Sequence, residues 1–433
     1  RRQRQMCIRD RMTGSLRVPG DKSMSHRTVM FGALAEGTTK ATGFLEGQDA
    51  LCTVQVFRDM GVVIRGPEQG RIEIDGVGMH GLKAPENVLD MGNSGTSIRL
   101  LCGLLAPQAF DSVMTGDVSL QKRPMGRVTT PLALMGAVIE SEEGKPPLAI
   151  KGGQRLKGIH YEMPMASAQV KSCVLLAGMY AEGRTTVSEP ATTRDHTERM
   201  LRGCGYEVEC ENDVISLQGG GALKATSLDI PADISSAAFF LVASSIAEGS
   251  DLTLEHVGMN PTRAGVITIL TLMGADIEVF NEREVGGEPV ADLRVRSARL
   301  TGIEIPEDLV PLAIDEFPVL FIAAACASGK TDLSGAEELR VKESDRLASM
   351  ADGLTRLGIE NDVREDGIAI TGGLITGGEV DTFHDHRIAM SFSVAALRAS
   401  GPIHVNDCDH VATSFPGFAA LARGVGLNIK EVN

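Results

Sequence analysis

The chain has no tryptophan and only three tyrosines among its 433 residues. Aromatic rings therefore do not dominate its interior, and Ala, Val, Leu, Ile and Met must fill the cores. A surplus of positive charge is also missing, because the net charge is −15. Binding nucleic acid or an anionic membrane surface by counterion release needs a basic face, so neither partner is expected; a local basic cleft stays possible. The eight cysteines include no C-x-x-C pair, and several sit in apolar text. That usage fits buried, reduced thiols in a cytoplasmic protein better than a disulfide framework. Apolar stretches such as residues 317–327 are too short to span a bilayer.

Several motifs are absent as well. GDKS and GNSGT do not fit G-x-x-x-x-G-K-[ST], and no G-x-G-x-x-G follows the first strand, which disfavours P-loop and dinucleotide folds. No H-E-x-x-H or Cys/His cluster suggests zinc. His384 and His386 beside Asp385 offer metal ligands in isolation, but a structural role is the expectation, so no metal is assigned. Residues 1–11, RRQRQMCIRDR, are basic and carry no apolar h-region. They fit neither a signal peptide nor the glycine-rich strand text that follows, and are treated as a non-native tail.

What the chain does have is repetition. One phrase, an amphipathic helix ending in Gly and then a short strand, occurs six times, with its glycines at Gly61, Gly136, Gly205, Gly274, Gly358 and Gly426. The second phrase, a helix apolar nearly all round and then a strand, alternates with it; helices of that kind should be buried. Units of about 70 residues are too long for a solenoid, whose repeats run to roughly 20–50. They suit two globular domains of three units each.

Polar motifs cluster where the buried helices begin: Gly20–Arg27, Gly92–Arg99, Ala166–Ser172, Asp233–Ser236, Ile314–Phe317 and Asp385–Arg387. A helix start carries free N–H groups and the positive end of the dipole, which suits phosphate and carboxylate. Ordinary N-capping explains Ser, Asp and Asn there equally well. It does not explain Lys22, Arg27, Arg99 and Arg387, which oppose the dipole and need an anionic partner from protein or ligand. Outside the helix starts, Lys122 and Arg123 fall in a loop. Lys342 and Arg346, four apart, could share a helical face, with an exposed salt-bridge ladder as the plain account.

Together GDKSMSHR, GNSGTSIRLL, QKRPM, ASAQVKS, TRDHTE, NPTR, IDEFP, RVKESDR, DHRIAMSF and TSFP resemble, in the same order, the 5-enolpyruvylshikimate-3-phosphate synthases. The resemblance runs from Gly14 to the C-terminus. It implies an α/β fold of two inside-out barrels, with six βαβαββ units, three per domain. One domain would be discontinuous, 12–20 with 233–433; the other would be 21–232, and the active site would lie in the cleft between them.

The implied reaction moves the enolpyruvyl group of phosphoenolpyruvate to the 5-hydroxyl of shikimate-3-phosphate and releases phosphate, with no metal or organic cofactor. By resemblance, Asp315 takes the hydroxyl proton, and Glu343 or Lys22 handles the methylene proton. Phosphoenolpyruvate would be held by Lys22, Gly95, Arg123, Gln169, Arg346 and Arg387. Shikimate-3-phosphate would be held by Lys22, Ser23, Arg27, Ser167, Ala168, Gln169, Arg194, Asp315 and Lys342. Carboxylates among so many cations should stay ionised in the free enzyme.

Two departures bear on this. Glu338 stands where many members have Asn, and Thr413-Ser414 where many have a Lys, so one anion contact is missing or supplied elsewhere. Glyphosate-tolerant members carry alanine where this chain has Gly95, which implies measurable glyphosate competition with phosphoenolpyruvate. The alternative is the enolpyruvyl transferase acting on UDP-N-acetylglucosamine, which shares the fold; its catalytic cysteine loop has no counterpart in residues 118–125. A monomer is expected.

Overall fold

A computed structural model describes residues 11–431, so the first ten residues of the basic N-terminal text lie outside the described residues. Helices of two kinds alternate along the chain. The first six are α1 (Lys22–Leu34), α2 (Gln48–Asp59), α3 (Gly95–Leu105), α4 (Gly126–Met135), α5 (Ala168–Gly178) and α6 (His196–Gly203). The next six are α7 (Ile234–Ile246), α8 (Gly265–Leu272), α9 (Phe317–Cys326), α10 (Arg346–Arg356), α11 (His386–Ala395) and α12 (Phe418–Gly424).

The odd-numbered helices are the apolar ones, and they are buried: α7 along its whole length, α1 from Met24 onward. The even-numbered ones bury a stripe. In α10 it is Leu347, Met350, Ala351 and Leu354, the i, i+3, i+4, i+7 set of one helical face. All six glycines of the first phrase adopt positive φ, from 79° at Gly205 to 116° at Gly426. Such a left-handed residue turns the chain out of the helix and into the next strand. Small residues let the buried helices close up. A Cβ on Gly103 of α3 would lie 2.1 Å from the Cys173 carbonyl oxygen of α5.

Among the described residues the strands form six small sheets of two to five strands, not one large sheet. Four share one pattern, in which the strand after a buried helix pairs parallel on one side and antiparallel on the other. Ser112–Thr115 lies parallel to Leu89–Asp90 and antiparallel to Lys145–Ile150. Arg184–Ser188 does the same with His160–Glu162 and Val214–Gln218. Asp251–Gly258 does so with Thr13–Leu16 and Glu288–Arg296, and Ala35–Thr42 with Ser227–Asp229 and Arg71–Val77. These four copies fit the βαβαββ unit that the resemblance implies.

The chain divides into two compact units. The first holds the N-terminal strand up to Pro19, Ala232–Arg283 and the chain from Pro289 on; the second holds Gly20–Pro231 and Glu284–Glu288. Each has its own apolar core, centred on α7, α9 and α11 in the first and on α1, α3 and α5 in the second. Among the described residues no helix is long and apolar enough to cross a membrane.

Candidate active site

In the second unit, short polar side chains start the three buried helices. The Asp21 carboxylate accepts from the Met24 N–H at 2.8 Å, Ser94 from Ser97 at 3.1 Å and Ser167 from Val170 at 3.4 Å. Capping is therefore the local work of these residues, as one of the two sequence readings allows. The cations beside them have other partners. Lys22, in the first turn of α1, pairs with Asp49. Arg27, one turn further on and buried, donates to Thr197 Oγ1 at 2.7 Å, Ser172 Oγ at 2.9 Å and the Ser23 carbonyl at 3.0 Å.

Arg123 follows a single 3-10 turn at Leu120–Lys122 and is buried, whereas its neighbour Lys122 is exposed. Its Nη2 donates to Asn93 Oδ1 at 2.7 Å and Ser119 Oγ at 3.2 Å, and its Nε is buried without a hydrogen-bond partner. A Cβ at Gly95 would stand 3.0 Å from Nη1 of both Arg123 and Arg99, so Gly95 opens α3 directly against two guanidinium groups. Arg99 donates to Gln169 Oε1 at 2.7 Å, and Gln169 Nε2 to Thr96 Oγ1 at 3.1 Å, which ties the start of α5 to that of α3. Ser23, Ser167, Ala168 and Gln169 are half-buried at helix starts, and Arg194 is half-buried in the loop ahead of α6.

His26, buried in α1, shares its Nδ1 with Thr53 Oγ1 at 2.8 Å and Ser97 Oγ at 3.3 Å. Burial, reinforced by Lys22 and Arg27, holds its pKa well below the usual 6.5, so the imidazole is neutral.

In the first unit the arrangement centres on Arg346, which is 1% exposed. Its Nε donates to Asp385 Oδ2 at 2.9 Å, Nη1 to Asp315 Oδ1 at 3.1 Å and Nη2 to Glu343 Oε2 at 2.5 Å. Burial alone would lower the guanidinium pKa, but Asp385, Glu343 and Asp315 outweigh it and raise the pKa. Burial likewise opposes ionisation of Asp385, yet Arg346 brings its pKa below the ordinary carboxylate value. Two more cations face Asp315. Lys342 Nζ is 3.8 Å from Oδ1, and Arg387 donates to the Asp315 carbonyl at 3.0 Å with Nη2 4.0 Å from Oδ2. Lys342 also lies 3.5 Å from Glu338.

One sequence expectation fails here. Lys342 and Arg346 do not share a helical face, and Arg346 is no part of an exposed ladder. The Asp345 carboxylate accepts from the Ala348 N–H at 3.0 Å and starts α10 at Arg346, which leaves Lys342 outside the helix and turns Arg346 inward.

The family described as EPSP synthase (3-phosphoshikimate 1-carboxyvinyltransferase) matches residues 7–421. The chain belongs to the EPSP synthase family. It is 66% identical to the 3-phosphoshikimate 1-carboxyvinyltransferase of Alkalilimnicola ehrlichii over 418 residues, 96% of this chain and 94% of that one. With the Methylococcus capsulatus enzyme of the same name it shares 64% over 421 residues, covering 97% and 96%. A solved structure of EPSP synthase from Acinetobacter baumannii superposes with a TM-score of 0.88 at 62% identity, covering 97% of each chain. The chain is thus a transferase of the shikimate pathway with 3-phosphoshikimate 1-carboxyvinyltransferase activity.

Against this family background, the side chains that sequence reasoning missed are those that hold other side chains. Asn93 fixes Arg123, while Thr197 and Ser172 fix Arg27. Asp385, fully buried, both holds Arg346 and caps α11 through the Arg387 N–H at 2.9 Å. Glu316, 3.9 Å from Arg387, accepts from Ser235, which in turn accepts from Arg263 at 2.5 Å. In the sequence Asp385 stood at a helix start and inside the DHRIAMSF motif, and neither marked it as the partner of Arg346. Lys171, inside the ASAQVKS motif, is buried and pairs with Glu198 at 2.8 Å and Glu189 at 3.1 Å, a structural task.

Proposed function

We propose that the residues gathered on Arg346 carry the proton transfers of enolpyruvyl transfer from phosphoenolpyruvate to shikimate-3-phosphate. The supporting observation is that Asp315, Glu343 and Arg346 lie within hydrogen-bond reach in one unit, with Lys342 and Arg387 beside them. A base, an acid and a set of anion-binding cations are what the chemistry requires. In this reading Asp315 takes the proton of the 5-hydroxyl as its oxygen bonds to C2 of phosphoenolpyruvate. The methylene carbon takes a proton from Lys22, or from Glu343 once the bound anionic substrates have raised its proton affinity. Loss of that carbon's proton then restores the double bond as the C2–phosphate oxygen bond breaks and phosphate departs.

Arg346 and Arg387, with Lys22, Gly95, Arg123 and Gln169, bind phosphoenolpyruvate in this reading. Ser23, Arg27, Ser167, Ala168, Gln169, Arg194 and Lys342 bind shikimate-3-phosphate, together with Lys22 and Asp315. The reading includes a cytoplasmic monomer, a discontinuous domain of 12–20 with 233–433, a second of 21–232, and no metal or organic cofactor for the reaction.

A phosphate-release assay tests it. Release should require both substrates, and Asp315→Asn should lower kcat by about 10²–10⁴-fold, the usual contribution of a positioned acid or base. Glu343→Gln should flatten one limb of the pH–rate profile. Phosphate release from phosphoenolpyruvate alone, or an Asp315→Asn enzyme at full rate, would sink the assignment.

A further inference from the structure

The first unit carries a second cluster of chemically able side chains that the reaction does not use. Gly378–Asp381 and Ile403–Asn406 are parallel strands in register, Asp381 opposite Asn406. Their carboxyl ends therefore emerge together, the place where open α/β sheets tend to present ligand-binding groups. His384 follows the first strand, and Asp407 and His410 follow the second. The Thr382 hydroxyl donates to the Asp407 carbonyl at 2.8 Å and fastens one loop to the other.

Phe383, His384 and Asp407 all adopt positive φ, 53°, 60° and 57°, a conformation that side-chain-bearing residues seldom hold without cause. The result is convergence. One ligand atom from each of His384, Asp407 and His410 lies within 4.8 Å of the others. The two imidazoles meet edge to face with centroids 5.1 Å apart, and His384 Nδ1 pairs with Asp407.

We propose that His384, Asp407 and His410 bind a divalent late first-row ion, of which zinc is the probe. Two imidazoles and a carboxylate are the donor set such an ion takes, with the fourth position left to water. Tetrahedral bonds of about 2.1 Å place donor atoms about 3.4 Å apart, so a modest contraction of side chains on the surface completes the site. Both His384 and Asp407 are exposed, which leaves them room to move and gives the ion entry. The bound ion would pin the backbone one residue before Asp385, which holds Arg346 and caps α11.

Zinc titration of the untagged, chelator-stripped chain by calorimetry tests this, with the visible absorption of cobalt as a second probe of coordination. One equivalent should bind in the wild type, and the melting temperature should rise with zinc. His410→Ala or Asp407→Asn should weaken binding on the order of tenfold or more, a scale typical of disturbed metal sites. The pair His384→Ala/His410→Ala should abolish binding while phosphate release without added metal persists. His410→Cys should restore uptake, since a thiolate also ligates zinc. Equal uptake by wild type and the double variant, or no saturable binding in the wild type, overturns the proposal.

Discussion

Arg346 in the first unit and Arg123 in the second are both buried arginines at the edge of a helix start, yet their surroundings are opposite. Arg346 meets three carboxylates, Asp385, Asp315 and Glu343. Arg123 meets an amide oxygen, a hydroxyl and a carbonyl, with one buried N–H left over. Neutral acceptors orient a guanidinium without cancelling its charge, so Arg123 keeps its attraction for an incoming anion. The charge of Arg346 is already more than offset by its three carboxylates, and an anion must share the guanidinium with Asp315 and Glu343. In the proposed mechanism those are the residues that move protons, so substrate binding at Arg346 changes the surroundings of the base and the acid together.

The largest effect that could break this contrast comes from deleting each guanidinium. Arg346→Met strands Asp385, which is 0% exposed, and frees Asp315 and Glu343 from their shared cation. Removing one member of a buried network costs about 3–5 kcal/mol, so the urea midpoint should fall sharply and phosphate release should vanish. Arg123→Met strands no carboxylate. Its unfolding free energy should stay within about 1 kcal/mol of the wild type, while kcat/KM falls by about 30-fold or more, the worth of a charge-assisted contact of ~2 kcal/mol. Equal losses of stability in the two variants would erase the distinction drawn here.

A smaller change probes the second unit alone. Gly95 has no positive φ, so alanine fits its backbone; the added Cβ meets only the tips of Arg123 and Arg99, each 3.0 Å away. Flexible tips yield by a few tenths of an ångström, and in the proposed reading the phosphoenolpyruvate that Arg123 binds shifts with them. Gly95→Ala should fold normally and raise the KM for phosphoenolpyruvate by about tenfold at most, or ~1.4 kcal/mol. Inhibition by glyphosate, which competes for the same place in this reading, should weaken more. Unchanged constants for both compounds would show that Gly95 does not border the anion.

Much of this was legible from the chain because helices announce themselves periodically. The six terminal glycines, the alternation of buried and amphipathic helices and the polar starts of the buried ones all follow from local rules. The capping of α1, α3 and α5 followed in the same way, since Asp21, Ser94 and Ser167 each precede the helix they start. Long-range partners were not legible. Asn93 and Arg123 are 30 residues apart, Arg27 and Thr197 170, Arg346 and Asp385 39. Nothing local in a sequence marks such pairs. Lys342 misled because spacing by four implies one helical face only if the helix is continuous, and Asp345 starts it afresh. His384 was weighed with its chain neighbour His386, whereas in space its companions are Asp407 and His410, brought over by the second strand.

An effect absent at neutral pH tests the cationic character of the second unit from within. His26 sits among Thr53 and Ser97, with Lys22 and Arg27 near enough to add to the cost that burial already sets on its protonation. Its folded pKa is depressed, so below about pH 6.5 the unfolded chain binds a proton that the folded chain refuses. Stability from this group is thus unchanged above about pH 7.5 and is lost as pH falls through 6.5, by about 1.4 kcal/mol for each further pH unit until the folded pKa is reached. His26→Asn can keep a hydrogen bond to Thr53 and cannot titrate. Urea unfolding at pH 7.5, 6 and 5 should show the wild type losing ground to the variant as pH falls, whatever their difference at neutrality. A gap that stays constant with pH would mean that His26 takes up its proton as readily in the fold as in the unfolded chain, and that the second unit is less cationic around α1 than its arginines and lysine imply.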